Sequence, residues 1–348
     1  MRHPVLLLLA VPLLFLSCRD HTEGEISHKA EWIREFFDTV EEYPEIYALS
    51  YWHEDFDDTH FRLDSSTGSL EAFREMATRD CCLHTAVFED GKLVAVEGKK
   101  YLSAFPGFCG EEDCVGNGAI QDYESLTGVP LAWVYFSDNW MDELGFPYGH
   151  VQTIVQAGRT PFIRMMARSD FEEQGIDPVW NLEQIISGQF DEALYQWFSE
   201  ARDTGVPLLV EFGTEMNGSW FPWNGSYYGA GQTDGYGDSA YPDGPEIFRD
   251  AYRHLIDISR QAEANNITWF FHFDVSGDPP EAWNDPVYYY PGDDYIDWLG
   301  VSTYGAFTPG EVSEELMPGY LLDKAYTAFT SISTSKPYAV LEFAVTEY

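Results

Sequence analysis

What most limits the shape of this chain is a rhythm. Short apolar runs bounded by Gly, Pro or polar residues recur at 101–105, 131–136, 161–166, 207–212, 267–273, 296–302 and 338–343. Between most of them lie stretches with apolar residues at helical spacing, at 148–157, 191–202, 245–262 and 316–330. The gap after 101–105 is short, and the one after 273 is too rich in Pro, Asp and Tyr to assign. A strand buried on both faces reads as an unbroken apolar run, and strands alternating with helices imply a parallel sheet covered on both sides. The clearest helix starts at Pro245, after Asp243-Gly244, and aligns Phe248, Ala251, Tyr252, Leu255 and Ile258 in one stripe.

Seven strands are one short of a closed ring, and an open sheet would leave two unpaired edges. The N-terminal part offers the missing piece. A helix over 27–40 puts Trp32, Ile33, Phe36, Phe37 and Val40 on one face, a strand comes next at 46–52, and a second helix spans 68–77. Inserted between 338–343 and 101–105, that strand completes an α/β fold of the (β/α)8 TIM barrel type, with the last βα unit supplied by the N-terminal segment in circular permutation. The expected division is a signal peptide over 1–18 and a single domain over 19–348. Within it, 27–80 supplies helix 7, strand 8 and helix 8, and 101–348 supplies strands 1 to 7. Between these parts, Asp90-Gly91 within 87–96 marks a hairpin.

The run 207–212 leads straight into Thr214-Glu-Met-Asn-Gly-Ser-Trp-Phe-Pro-Trp223. Taken singly, a Glu or a Trp near a strand end is more often structural than functional. A carboxylate, an amide and two indoles crowded past one strand end are what a sugar-cleaving site needs. Glu215 is placed to protonate a glycosidic oxygen, Asn217 to bind a ring hydroxyl, and Trp220 and Trp223 to stack on pyranose faces. Counting from 101–105, Glu215 lies just past the fourth strand and Glu342, in Val340-Leu-Glu-Phe343, ends the seventh. Both then project into the C-terminal mouth, where barrel active sites lie. Carboxyls ~5 to 5.5 Å apart fit a retaining mechanism and ~6.5 to 9.5 Å an inverting one. Arg164, Trp140, Trp52 and His53, each at or past a strand end, are further candidates for lining the site.

With 59 acidic against 19 basic residues and a formal charge of -40, the chain is a poor match for nucleic acid or an anionic membrane surface. A neutral substrate fits best. The opening residues are a basic start and then an apolar run too short and Pro-broken to span a bilayer, which predicts export. Phe15-Leu-Ser-Cys18 resembles a bacterial lipobox, so Cys18 is the expected lipidation site and the only membrane attachment; ordinary signal cleavage and secretion is the alternative. In an exported chain Cys81, Cys82, Cys109 and Cys114 are open to disulfide formation, with Cys109 and Cys114 the plausible pair. Their spacing is not that of a zinc site, and the loop 231–244 with Asp234, Asp238 and Asp243 lacks an EF-hand pattern, so neither metal nor cofactor is expected. Tyr288, Tyr289 and Tyr290 fit either a stacking surface or a buried cluster.

Four segments together resemble glycoside hydrolase family 26: 214–223, Phe248-Arg-Asp-Ala-Tyr-Arg-His254, Ile296-Asp-Trp-Leu-Gly-Val-Ser-Thr-Tyr-Gly305 and Lys336-Pro-Tyr-Ala-Val-Leu-Glu-Phe343. The resemblance implies a retaining (β/α)8 endo-glycosidase acting on a neutral β-linked polysaccharide, mannan first and mixed-linkage glucan or xylan second. It makes Glu215 the acid/base, Glu342 the nucleophile, Tyr304 the tyrosine bonded to the nucleophile, and Trp220 a subsite aromatic. Residues 29–33, 46–53 and 62–66 resemble the segments that such proteins carry after the nucleophile strand, again a permuted order. Thr214 stands where mannanases of the family carry His. A monomer is expected, and a surface protein that binds glycan without cleaving it is the competing reading.

Overall fold

The computed structural model describes residues 27–108, 112–171 and 175–347. The leader with Cys18, and Cys109, lie outside these. Eight parallel strands form the barrel: β1 (Ile46–Trp52), β2 (Lys100–Phe105), β3 (Trp133–Asn139), β4 (Thr160–Met166), β5 (Leu208–Phe212), β6 (Ile267–Asp274), β7 (Trp298–Tyr304) and β8 (Tyr338–Ala344), with the two residues Cys82–Leu83 pairing on the start of β2 as a ninth strand of the sheet. The ring closes because β1 pairs with β8 on one side and β2 on the other, Leu49 lying opposite both Val340 and Leu102. The chain is therefore a closed (β/α)8 barrel, as the strand count predicts. Its strands succeed one another around the ring in chain order.

Each apolar run is a strand because both its faces are covered: β2, β5 and β8 are buried at every residue. The outer layer comprises α1 (His28–Val40), α2 (Thr67–Ala77), α3 (Asn117–Thr127), α4 (Tyr148–Gln156), α5 (Leu182–Ile186), α6 (Asp191–Asp203), α7 (Asp243–Gln261), α8 (Pro286–Tyr289) and α9 (Pro318–Ile332). In α1, Ser27 caps the N-terminus by accepting from the Ala30 amide. The apolar stripe of α1 meets the barrel through Phe36, stacked on Phe343 with centroids 4.3 Å apart, and Trp32 stacks on Phe36 in turn. So α1 is the covering helix for the β8–β1 seam, packed beside α2 and α9. The short gap after β2 does hold a helix, α3, ended by Gly128 at φ 79°. Its buried stripe is only Ile120, Tyr123 and Thr127, too sparse to announce itself.

The expected hairpin at Asp90-Gly91 is present as two residues on each side, with φ of 50° and 82° at the turn as a tight hairpin requires. It spans the N-terminal end of the barrel, where the Leu93 amide donates to Thr268 Oγ1 (2.9 Å) and Trp298 Nε1 donates to the Leu93 carbonyl (3.1 Å). Cys114 is disulfide-bonded, whereas Cys81 and Cys82 are free thiols. Of the three consecutive tyrosines only Tyr289 is fully buried, under Phe248. No helix among the described residues is long and apolar enough to cross a membrane.

Because Phe36 is the knob that seals the seam, Phe36→Ala is expected to cost about 3–5 kcal/mol. Urea denaturation at neutral pH reads this directly, and an unchanged midpoint would show that the seam does not depend on the helix.

Candidate active site

Strand β5 ends in a forced turn. Gly213 has φ 59° and a Cβ there would lie 2.6 Å from the Phe248 ring, so only glycine lets the chain leave the barrel at this point. Glu215 comes two residues later with φ of 47°, a conformation that a non-glycine residue holds only when its surroundings impose it. Those surroundings are visible. The Glu215 amide donates to the carbonyl of His272 on β6 (3.0 Å), and its carbonyl accepts from the Gly218 amide (2.8 Å). Trp223 Nε1 donates to the Thr214 carbonyl (2.8 Å). The glutamate is thus clamped between two strands and the loop after β5, with its carboxylate turned into a cavity of about 710 Å³ at the barrel mouth.

Glu342, near the end of β8, points into the same cavity. A carboxyl oxygen of Glu342, one of Glu215 and a ring nitrogen of His272 all lie within 4.8 Å of one another. Glu342 accepts from Tyr304 (2.6 Å) and Tyr135 (3.3 Å), and Arg164 Nη2 stands 3.5 Å from it. Arg164 also contacts Glu112 (3.0 Å) and Glu211 (3.5 Å), so one buried guanidinium serves three carboxylates. Glu215 has a different set of neighbours: Trp220 donates its indole N–H to Oε2 (2.9 Å), and Asp274 lies across the cavity.

These surroundings set the charges. Burial raises the carboxyls of both glutamates, that of Glu342 to about 7 although Arg164 opposes the rise, and that of Glu215 with Asp274 adding to it. Two acids this close titrate as a pair and hold one proton between them over a range of pH. Glu342 has a guanidinium and two phenol hydroxyls directed at it and Glu215 one indole N–H, so the donors favour the carboxylate form of Glu342 more than that of Glu215. Beneath them, burial works against the His272 imidazolium but Glu211 outweighs it, and His272 is raised. Burial likewise opposes ionisation of Glu211, yet His272, then Arg164 and Tyr135, bring it below its ordinary value. At the rim, burial and Glu112 push Glu54 up to about 7.

The residues expected from the sequence divide clearly. Glu215, Glu342, Tyr304, Arg164, Trp52 and Trp220 come together around the cavity. Trp220 is 45% exposed and offers a free ring face, while Trp52 lies on the floor against Phe105 and beside Arg164. The other four do not face it. Trp223 and Trp140 are each 1% exposed, the first packed on Phe221 and the second on Trp180, so neither is a sugar platform. His53 is buried, accepts from the Leu63 amide through Nδ1, and is held near 3 by burial and Arg62. Asn217 spends its amide group on the backbone of Asp274, donating to its carbonyl and accepting from its N–H (2.8 Å each), which makes it a strut. Glu211, His272, Tyr135 and Glu112 were missed. A signal for Glu211 was available, since Val210-Glu-Phe212 repeats the pattern of Leu341-Glu-Phe343. For His272, one polar residue within an apolar strand was the only hint. The far wall of the cavity, Phe56, Phe307 and Tyr320, comes from loops after β1 and β7 and from α9.

A closed barrel with two glutamates facing each other in its C-terminal mouth is the architecture of barrel glycosidases. Residues 177–316 match the model of glycosyl hydrolase family 26. It is 25% identical over 230 residues to endoglucanase H of Acetivibrio thermocellus, covering 66% of this chain and 23% of that protein. It is 23% identical over 217 residues to mannan endo-1,4-beta-mannosidase of Bacillus subtilis, covering 62% and 51%. The chain thus spans between about a quarter and a half of the relatives it matches. Among solved structures, a GH26 beta-mannanase from Bacteroides ovatus aligns with TM-score 0.43 and 15% identity over 91% of this chain and 76% of that one.

Arg164→Met would leave two buried carboxylates, Glu211 and Glu342, and the partly exposed Glu112 without their shared cation, at an expected cost of about 3–5 kcal/mol at pH 7. Glu342, already raised by burial although Arg164 opposes the rise, then lies further above its unfolded value of about 4, so the loss is largest above that value and shrinks as pH falls below it. Denaturant midpoints at pH 7 and pH 4 test both signs; equal midpoints for variant and wild type at pH 7 would remove Arg164 from this role.

Proposed function

We propose that this chain is a retaining glycoside hydrolase that cleaves internal β-1,4 linkages of a neutral polysaccharide, mannan first. The observation that carries the proposal is the approach of Glu215 and Glu342 to within 4.8 Å, in line with a nucleophile that reaches the anomeric carbon directly rather than through a water. Ionised Glu342 attacks that carbon as Glu215 gives its proton to the departing oxygen. Glu215 then takes a proton from water as the water displaces Glu342, and the product keeps the β configuration. Asp274, Glu54, Asp55 and Glu315 add further acids to the cavity lining, which favours a neutral glycan over a uronate-bearing one. A protein that only bound glycan would have no need to bury two carboxylates this close together at such cost.

Thr214 and the similarity to an endoglucanase favour mixed-linkage glucan as the second substrate. Export with a lipid anchor on Cys18, or secretion after ordinary cleavage, belongs to the same proposal, as does a monomeric enzyme. So does the permuted order. β1 lies between β8 and β2, and Ser27 Oγ and Ser66 Oγ both donate to Glu347 (2.6 and 2.7 Å), which ties the segments beside β1 to the one that follows β8.

Glu342→Ala is expected to lose at least about a thousandfold in rate on every glycan the wild type cleaves. Glu215→Ala should slow polysaccharide far more than an aryl glycoside with a good leaving group, and azide should restore it by forming the β-glycosyl azide. Reducing-end release on mannan, mixed-linkage glucan and xylan ranks the substrates. A freshly released product in the α configuration would sink the retaining assignment.

A further inference from the structure

Beneath the two glutamates lies a buried imidazole that the proposed reaction does not use. His272 is 2% exposed and all of its ring positions that can hydrogen-bond are engaged by oxygen: Nδ1 by Thr214 Oγ1 (2.8 Å), Glu211 (3.1 Å) and Tyr135 Oη (3.2 Å), and Nε2 by Ser302 Oγ (2.8 Å). Every one of these can accept, and Glu211 can do nothing else when ionised, so the arrangement suits a ring carrying both protons. The same residue's backbone carbonyl receives the Glu215 amide at the point where Glu215 adopts its left-handed φ. One residue therefore holds the turn of the acid/base by main chain and, through Thr214, by side chain.

We propose that His272 is a positioning residue of the reaction, an imidazolium that locks the Thr214-Glu215 turn in register with Glu342 and supplies the charge that lets Glu342 stay ionised beside Glu215. The proposal rests on the hydrolase reading above. The groups facing the ring are Glu211 from β5, Glu215 from the loop after it, Tyr135 from β3, Ser302 from β7 and Glu342 from β8, with Arg164 of β4 and Asp274 next in range. Among these, Arg164 and His272 are the cations, and Arg164 is already shared among three carboxylates. A unit charge within 4.8 Å of both carboxyls in a buried site is worth more than one tenfold step in the proton equilibrium of the pair, and with Arg164 beside Glu342 the ionised member is Glu342. Both ring nitrogens being engaged, the trio of Glu215, His272 and Glu342 is not read as a metal site.

The experiment pairs kinetics with nitrogen and carboxyl NMR on the full chain. In wild type, the ¹⁵N shifts of His272 should be those of an imidazolium at pH 7, and in Glu211→Gln those of a neutral ring. His272→Gln, checked for folding by circular dichroism, should lose about tenfold or more in kcat with KM within about threefold, and its acid limb should move up by about one pH unit or more. The Glu342 carboxyl, tracked by ¹³C, should titrate higher by the same amount. Thr214→Ser should retain activity that Thr214→Val loses. A neutral ring in wild type at pH 7, or an unmoved Glu342 titration in His272→Gln, overturns the proposal. Should the wild type cleave no glycan, the hydrolase reading alone falls, because the two NMR titrations still decide whether His272 sets the charge on Glu342. If His272→Gln does not fold, His272→Asn with the same two titrations takes its place.

Discussion

One guanidinium makes the mouth of this barrel possible. Arg164 is 2% exposed, with Glu112, Glu211 and Glu342 all within 3.5 Å. Carboxylates so placed cannot all be ionised unless cations stand among them, and the protein supplies two, Arg164 and His272, against three acids and a fourth, Glu215, that keeps its proton. The asymmetry needed for acid/base chemistry comes from where those cations point. Arg164 makes its close contact with Glu342, whereas Glu215 has an indole N–H and His272 beside it and a second acid, Asp274, working against its charge. Two identical side chains thereby acquire opposite roles from their surroundings alone.

That electrostatic arrangement depends in turn on the ring being shut. Strand β8, which carries Glu342, has β7 on one side and β1 on the other. Were β1 absent, β8 would be an edge strand and water would reach the carboxylate from the side. Burial would no longer raise it, and Arg164 would no longer be needed to hold it ionised. The closing of the seam by Phe36 on Phe343, one residue past Glu342, is thus part of what sets the charge on Glu342, although Phe36 does not line the cavity.

The alternation of apolar runs and helical stripes made the barrel legible in the sequence, and Glu215 and Glu342 were legible because a carboxylate at the end of an apolar run is costly without a purpose. What was not legible shares one cause: sequence position gives distance from a strand end but not the direction a side chain takes after a turn. Trp220 and Trp223 are three residues apart in one loop, yet the first faces the cavity and the second packs beneath it. Asn217 looked like a sugar ligand and is a strut, because the chain folds back past Gly218 and brings it against Asp274. Glu211 was hidden by its neighbours, since a strand that ends in a motif draws attention to the motif. His272 belongs to a different strand from everything it organises, and pairings across strands cannot be counted along a chain.

Trp220 shows how binding and chemistry are joined in this reading. Its exposed ring face is a stacking surface for a pyranose, and its indole N–H is bonded to the carboxyl that must donate a proton. A sugar lying on that ring removes the water left around Glu215. Removing water favours the neutral form of a carboxylic acid, so occupation of the cavity strengthens the hold of Glu215 on its proton until the glycosidic oxygen is in place to take it. The opposite wall of Phe56, Phe307 and Tyr320 completes the enclosure from two loops and the start of α9. Because the two loops come after β1 and β7, the strands that flank the one carrying Glu342, closing the sheet and drying the site are one structural act.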